Sequence, residues 1–463
     1  MHNGEALPPL EVDIDLIRRL DRNGPRYTSY PTADRFVPAF TAEEYREWAM
    51  KRDSSNPLSI YVHLPFCNTV CFYCACNKVI TKDKSKAEEY LRYLFREIEM
   101  QGEIFGKGSP VEQLHWGGGT PTFLSDGQME SLMKKIGEHF RLVENGDYSI
   151  EIDPRKVNDA TIALLAGIGF NRLSLGVQDF DPDVQLAVNR IQTEEETLRV
   201  LNAARREGFR SISIDLIYGL PKQTVPGFLK TLEKVIEAGP DRISIYNYAH
   251  LPKVFKPQRR IDEKDLPAPG AKLEILSQTI RMLTAAGFVY IGMDHFARPT
   301  DELAVAQRKG MLHRNFQGYS THADCDLVAL GVSAIGKIGP TYSQNFRSLE
   351  EYYERIEKDE LPVMRGLLLD QDDLLRREII QALMCHFFLS KQELEARFSI
   401  CFDEYFAAEL ALLRDYEKEG LLSLQPDSLA VSPKGRLLIR NICMAFDKYL
   451  ARDESQVKYS KVI

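Results

Sequence analysis

A chain of 463 residues is long for one hydrophobic core and points to one large domain with a smaller one. Its composition, 44% hydrophobic and 27% charged, is that of an ordinary soluble protein, and the net charge of −8 argues against broad nucleic-acid binding, which needs a positive face. No apolar run approaches the roughly 20 residues that span a bilayer, and Met1-His-Asn-Gly-Glu lacks the basic-then-apolar layout of a signal peptide, so a cytoplasmic location is expected.

In chain order, residues 1–55 read as an N-terminal arm without strand pattern. Asp13–Leu20 suggests a short helix, and Asn23-Gly-Pro-Arg-Tyr-Thr-Ser-Tyr-Pro-Thr is rich in turn formers. Thr41 with Glu44 three residues on predicts a capped helix start. From residue 58 apolar strand-like runs alternate with amphipathic helical stretches. The runs fall at 58–63, 112–116, 148–152, 171–177, 211–217 and 242–248, with helices such as Ala87–Gln101 and Glu194–Arg206 between them. Six strands, each followed by a helix, predict an α/β fold with a parallel sheet and right-handed crossovers over residues 56–360. Phe288–Gly292 and Leu327–Val332 are candidates to extend it, but six regular units favour an incomplete barrel over a closed one. Residues 361–463 turn mostly helical and end in a probable hairpin at 420–424 and 428–431, a winged-helix-like pattern. Acidic residues outnumber basic ones there, so a packing or lid role is expected, not DNA binding.

Chemistry concentrates after the first strand. Half of the eight cysteines lie between Cys67 and Cys76, spaced C-x-x-x-C-x-x-C with Cys76 one residue further. Ligands of α/β folds bind at that end of a strand. Disulfides have no support from an oxidising compartment. Structural zinc lacks a second ligand pair. A ferredoxin would need a fourth ligand at longer spacing, followed by proline. The remaining reading is a four-iron cluster on three thiolates with one iron open. Cys325, Cys385, Cys401 and Cys443 are scattered and read as buried small hydrophobes.

Other candidates sit at later strand ends. Trp116-Gly-Gly-Gly-Thr-Pro lets backbone approach a ligand without a Cβ in the way, or is simply a tight turn. Glu151 follows the third strand, where it is either a ligand-facing carboxylate or a solvated one. Gln178 ends the fourth strand and Arg190 follows it. Asp215 lies inside the apolar fifth strand, where a carboxylate is costly unless paired, and a structural Arg190–Asp215 pair is the plain reading. Tyr246-Asn-Tyr-Ala-His-Leu-Pro and Gly331-Val-Ser-Ala-Ile-Gly complete the set.

The cysteine spacing, with Tyr73 before the third cysteine, resembles the radical S-adenosylmethionine (SAM) superfamily. The longer string Tyr61-Val-His-Leu-Pro-Phe-Cys…Cys-Phe-Tyr-Cys-Ala-Cys-Asn-Lys resembles the oxygen-independent coproporphyrinogen III oxidases within it. That resemblance runs from about Arg26 to Ile338 and implies a partial (β/α)6 barrel. It implies a [4Fe-4S] cluster on Cys67, Cys71 and Cys74, with Cys76 a motif cysteine that does not ligate. SAM on the open iron would be held by Tyr61, Gly118, Glu151 and Ile335. A second SAM would be held by Tyr73, Gly119, Thr120, Gln178, Arg190, Asp215 and Ala249.

The implied reaction is anaerobic decarboxylation of coproporphyrinogen III to protoporphyrinogen IX in haem biosynthesis. A reducing donor, flavodoxin-like or similar, and an electron acceptor are implied as partners of a monomer that binds neither nucleic acid nor membrane. Two alternatives remain at this point: a haem-trafficking relative without oxidase activity, and a cluster protein for electron transfer alone. Arg26, Tyr27 and Arg35 of the arm are candidates to meet the substrate's propionates, because guanidinium pairs well with carboxylate. On that reading the arm closes over the substrate as a lid and is dispensable for folding; the plain alternative is that it merely packs on the barrel.

Overall fold

The computed structural model describes residues 7–450 and Lys461. They form two compact units that do not follow chain order. A sheet unit comprises Phe36–Pro267 and Asp324–Leu368. A helical unit comprises the chain up to Arg35, Ala268–Ala323 and the chain from Leu369.

The sheet unit is built on the expected parallel strands: β1 (Leu58–Leu64), β2 (Pro110–Gly118), β3 (Arg141–Ile152), β4 (Arg172–Gln178), β5 (Ser211–Tyr218) and β6 (Arg242–Asn247). They lie side by side in sequence order, each parallel to the next. Six residues of β1 are buried, as expected of a parallel strand covered on both faces. Helices Ser85–Phe105, Asp126–His139, Asp159–Gly167, Glu194–Arg206 and Val225–Ala238 make the crossovers. Ser125, Asn158 and Thr193 start three of them with reciprocal capping boxes, and Thr41 with Glu44 does the same for Ala42–Lys51.

The sheet does not stop at six strands. The run expected near Leu327 forms β7 (Asp326–Leu330), parallel to β1 on the edge away from β2. From there β8 (Ile335–Ile338), β9 (Thr341–Asn345) and β10 (Val363–Leu368) continue antiparallel. A buried ion pair, Arg52 Nε to Asp326 Oδ2 at 2.8 Å, ties the chain before β1 to the start of β7.

In the helical unit, Val289–Gly292 forms an antiparallel hairpin with His295–Ala297, and the helix that follows β6 in sequence, Pro269–Ala285, belongs here. Gln371–His386, Lys391–Phe398 and Ala407–Lys418 pack with a three-stranded antiparallel sheet, Phe388–Ser390, Ser428–Val431 and Leu422–Leu424. The core contains Ile379, Leu383, Phe402, Phe406 and Phe446 together with Leu16, Tyr27 and Tyr30 of the arm. The arm is therefore core and not a separable lid: its apolar side chains bury where a lid would keep them exposed. Cys401 departs from its expectation and is exposed, at the start of the short helix Phe402–Tyr405. Cys325, Cys385 and Cys443 are buried as expected.

Candidate active site at the strand ends

Pro65 leads β1 into a loop that returns at Val79–Ile80, which pairs in parallel with Phe66–Cys67. Backbone bonds fix both sides of it. Gly119 and Thr120 donate to the carbonyls of Leu64 and Phe66, each at 2.8 Å, and Phe72 donates to Val188 at 2.9 Å. Asn189 Nδ2 donates to the Val70 carbonyl at 2.7 Å, and Lys78 Nζ to the Cys74 carbonyl at 2.9 Å. The loop is thus held between the turn after β2 and the segment after β4.

Two glycines of the β2 turn are required by space. Gly118 has φ +111°, and a Cβ there would lie 2.6 Å from the His63 ring. A Cβ on Gly119 would lie 2.6 Å from the Pro65 carbonyl carbon.

The strand ends enclose a cavity of about 310 Å³. Cys67, Cys71, Cys74, Cys76 and Tyr73 line it from the loop. Gly118, Gly119, Thr120, Glu151, Gln178, Arg190 and Asp215 line it from the strand ends. Tyr61, Ile335 and Ala249 are outside that lining. Tyr61 lies one layer behind, its ring stacked on His115 at 5.8 Å and its hydroxyl 3.0 Å from His63 Nδ1. Ala249 is joined to the cysteine loop through Gln258, whose amide donates to the carbonyls of Ala249 at 3.2 Å and Tyr73 at 3.1 Å. Ile335 opens β8, opposite Gln344. Arg26, Tyr27 and Arg35 belong to the helical unit, where Arg26 pairs with Asp294, the Tyr27 hydroxyl donates to Asp447 at 3.0 Å, and Arg35 lies over the Tyr449 ring.

The plain reading of an Arg190–Asp215 pair is replaced. Arg190 Nη2 lies 3.6 Å from Asp153 and donates to the Gly176 carbonyl at 2.5 Å, while Nη1 reaches the Cys71 sulfur at 3.7 Å. Asp215 instead accepts from the Ser174 hydroxyl at 2.8 Å on the adjoining strand. Register decides this: β5 sets Asp215 opposite Gly176, next to Ser174, whereas Arg190 enters from the loop beyond β4.

Electrostatics differ around the cavity. Burial pushes Asp215 up to about 6 despite the Ser174 bond. Burial works against ionised Glu151 as well, yet the His115 bond and charge and the Gly118 N–H hold it below the usual carboxylate range. The Cys67 thiol is pushed up to about 11 by burial, with the Thr120 hydroxyl 3.5 Å from its sulfur acting the other way. A hydrogen bond from Cys76 lowers Cys74 to about 6. The sequence reading missed His63 and His115, which orient Tyr61 and Glu151, as well as Asp153, the partner of Arg190. Their signal was present: His63 and His115 stand near the same strand ends as the chosen residues.

All four loop cysteines are free thiols. Three at this spacing on one cavity wall, beside a glycine turn whose backbone is bare, suit an iron–sulfur cluster with an adjacent small ligand. The donor set fits that group.

Residues 61–245 match the family described as Radical SAM superfamily, and residues 369–438 match the HemN C-terminal domain. An oxygen-independent coproporphyrinogen III oxidase of Pseudomonas aeruginosa is 52% identical over 99% of this chain and 100% of its own length. The enzyme of that name from Escherichia coli K12 is 48% identical over 99% of this chain and 100% of its own. A solved structure of E. coli coproporphyrinogen III oxidase (HemN), described as a radical SAM enzyme, superposes with a TM-score of 0.92, covering 96% of this chain and all of the other. Fold and cysteine loop together define a radical SAM protein that uses a [4Fe-4S] cluster and SAM. Within that class the chain belongs to the oxygen-independent coproporphyrinogen III oxidase family. The haem-trafficking and electron-transfer alternatives are set aside by identity that runs the full length of an oxidase.

Proposed function

We propose that this protein oxidatively decarboxylates coproporphyrinogen III to protoporphyrinogen IX without oxygen, turning two propionates into vinyl groups. The observation that carries the reading is the convergence of Cys67, Cys71 and Cys74 with the Gly118–Thr120 turn and Glu151 on one cavity, in a chain aligned end to end with named oxidases. When bound, the cluster and SAM supply a 5′-deoxyadenosyl radical, the reagent an unactivated propionate Cβ–H requires.

The chain's own task is to hold and orient. Cys67, Cys71 and Cys74 supply thiolates, and Cys76 does not ligate but donates a hydrogen bond that favours the Cys74 thiolate. Tyr61, Gly118, Glu151 and Ile335 serve the SAM at the cluster, with ionised Glu151 accepting from its ammonium. Tyr73, Gly119, Thr120, Gln178, Arg190, Asp215 and Ala249 serve a second SAM, with Arg190 available to a carboxylate and Asp215 to a ribose hydroxyl. Among the described residues no helix is long and apolar enough to cross a membrane. The reading is completed by a cytoplasmic monomer that takes electrons from a flavodoxin-like donor and passes the product electrons to a separate acceptor.

The deciding experiment is anaerobic turnover of coproporphyrinogen III with SAM and reductant, with vinyl products followed by chromatography. Iron-replete protein that cleaves SAM but forms no vinyl product would overturn the function. For the two-site reading, equilibrium dialysis of SAM is expected to give two per chain, and one in Asp215→Asn. Loss of both in that variant, with folding intact, would count against two separate sites.

A further inference from the structure

The helical unit contains three guanidiniums that are almost wholly withdrawn from water: Arg314, Arg436 and Arg440, at 3%, 4% and 2% exposure. Two of them have oxygen acceptors. Arg440 donates to the carbonyls of Gly24 and Pro25, and Arg436 to that of Pro8 at 2.6 Å. Arg314 has none: among the described residues its guanidinium donates no hydrogen bond, and Nε and Nη1 are buried without a partner. It is not there for want of order. Its backbone lies in the strand His313–Asn315, paired with Gly318–Ser320, and its carbonyl accepts from Gln381 Nε2 at 2.6 Å. The guanidinium is held 4.7 Å from the centre of the Tyr319 ring.

A buried cation without an acceptor is costly, and a ring face offsets only part of that cost. Its surroundings add to the cost. The charges of Arg26 and Arg314 both act on Arg440, and with burial they lower its affinity for its proton to about 10. The carboxylate of Asp294 acts on the same group but is already paired with Arg26. Arg26, at 35% side-chain exposure, is the solvent-facing member of the group. A buried polar group left unsatisfied in an ordered element requires an explanation, and a bound anion that completes it is one.

We propose that Arg314, with Arg26 and Arg440 beside it, forms a binding site for one carboxylate group of the propionate type. A carboxylate accepts the N–H groups that Arg314 now gives to nothing and relieves the repulsion among the three cations. The group arrives either as a free carboxylate or as a propionate of the porphyrinogen; the second version rests on the function proposed above.

The test uses full-length, cluster-loaded protein under anaerobic conditions, with sodium propionate, coproporphyrin III and its tetramethyl ester as probes. Propionate at about ten times its Kd is expected to raise the wild-type melting temperature by ~2 °C or more. Arg314→Gln, which removes an unpaired buried charge, is expected to melt no lower than wild type without ligand and to lose the propionate shift. Coproporphyrin III should bind this variant about ten- to a hundredfold more weakly, while the ester, which has no carboxylate, binds both proteins alike. Loss of the propionate shift alone assigns the site to a free carboxylate; loss of both assigns it to the substrate. Arg314→Lys keeps the charge and should retain a reduced shift, which guards against a misfolded glutamine variant. A glutamine variant that melts below wild type while both ligands bind as before overturns the site and leaves Arg314 a ring-stacking residue. Wild-type decarboxylation is scored separately: its absence removes the proposed function and leaves the propionate shift untouched.

Discussion

Glu97 and Glu151 are two carboxylates of the sheet unit that titrate in opposite directions. Glu97 is fully buried within the helix Ser85–Phe105. It accepts from Gly331 N–H at 2.7 Å, the Asn345 amide at 2.7 Å and the Tyr352 hydroxyl at 2.6 Å. All three donors are neutral, and burial pushes the carboxyl up to about 7. Glu151 has fewer donors but a better one: the His115 imidazole, with the Gly118 N–H, keeps it charged against burial. Neutral donors satisfy geometry without offsetting desolvation, whereas a neighbour able to carry positive charge offsets it. Hence Glu97 is a closed knot that fixes the Gly331–Ile335 turn, and Glu151 is a standing negative charge on an open cavity.

The largest expected effect is on the cavity side. Serine at Cys67, Cys71 or Cys74 should reduce iron to background and abolish product, since a cluster left with two thiolates does not persist. Cys76→Ser should keep its iron. Iron loss in Cys76→Ser equal to that in Cys74→Ser would break the three-ligand assignment. On the knot side, Glu97→Ala leaves the Gly331 N–H and the Tyr352 hydroxyl without an acceptor, takes one of two acceptors from the Asn345 amide, and should cost about 3–5 kcal/mol in urea unfolding, at about 1–3 kcal/mol for each buried neutral donor left unsatisfied. A loss below about 1 kcal/mol would mean that the turn does not depend on the knot.

The cavity was far more legible in the sequence than the knot, for physical reasons. β1 is buried on both faces and reads as an apolar run, and the alternating burial of β4 and β5 reads as period-two apolar patterning, so all six strands were visible, and strand ends gather by topology. Residues chosen there, such as Gln178 and Asp215, needed no knowledge of distant contacts to be placed on one cavity. Partner choice did need it: Asp215 bonds Ser174 and Arg190 faces Asp153 because of strand register and loop path, which no local pattern encodes. Glu97 sits beside Arg96 and near Glu99 in an amphipathic helix, indistinguishable locally from a solvated residue. The arm failed for the same reason. Tyr27 bonds Asp447, 420 positions away, so its place in the helical core could not be read from its turn-rich neighbourhood.

The knot has a pH signature opposite in sign to that of the cavity carboxylate. The Glu97 carboxyl rises from its ordinary 4.5 to about 7 in the fold. Between those values the native state holds a proton that the unfolded chain has released. Stability therefore falls as pH rises from about 4.5 to 7 and levels off above, by about 3 kcal/mol in total. Urea midpoints measured across that window should show this slope in wild type and lose about one proton's worth of it in Glu97→Gln. An unchanged slope in the variant would place the proton elsewhere.

The same substitution at the other carboxylate gives the smallest and sharpest contrast. Glu151→Gln keeps the side chain's size and leaves an oxygen for the Gly118 N–H, so the turn after β2 should hold. What it removes is the charge. His115 Nε2, 3.3 Å from the Glu151 carboxylate, loses its carboxylate partner, and a bound aminoacyl ligand loses its acceptor for an ammonium. A hydrogen bond between charged groups, replaced by one to a neutral amide, is worth about 1.5 kcal/mol, or about tenfold in affinity. The expectation is therefore a tenfold weaker SAM complex at the cluster, with iron content and urea midpoint within error of wild type. Glu97→Gln should do the reverse, moving the stability profile and leaving SAM affinity nearly alone. If Glu151→Gln instead lowers the urea midpoint as much as Glu97→Ala does while SAM binds normally, Glu151 is a structural carboxylate, and the contrast between an open and a closed site collapses.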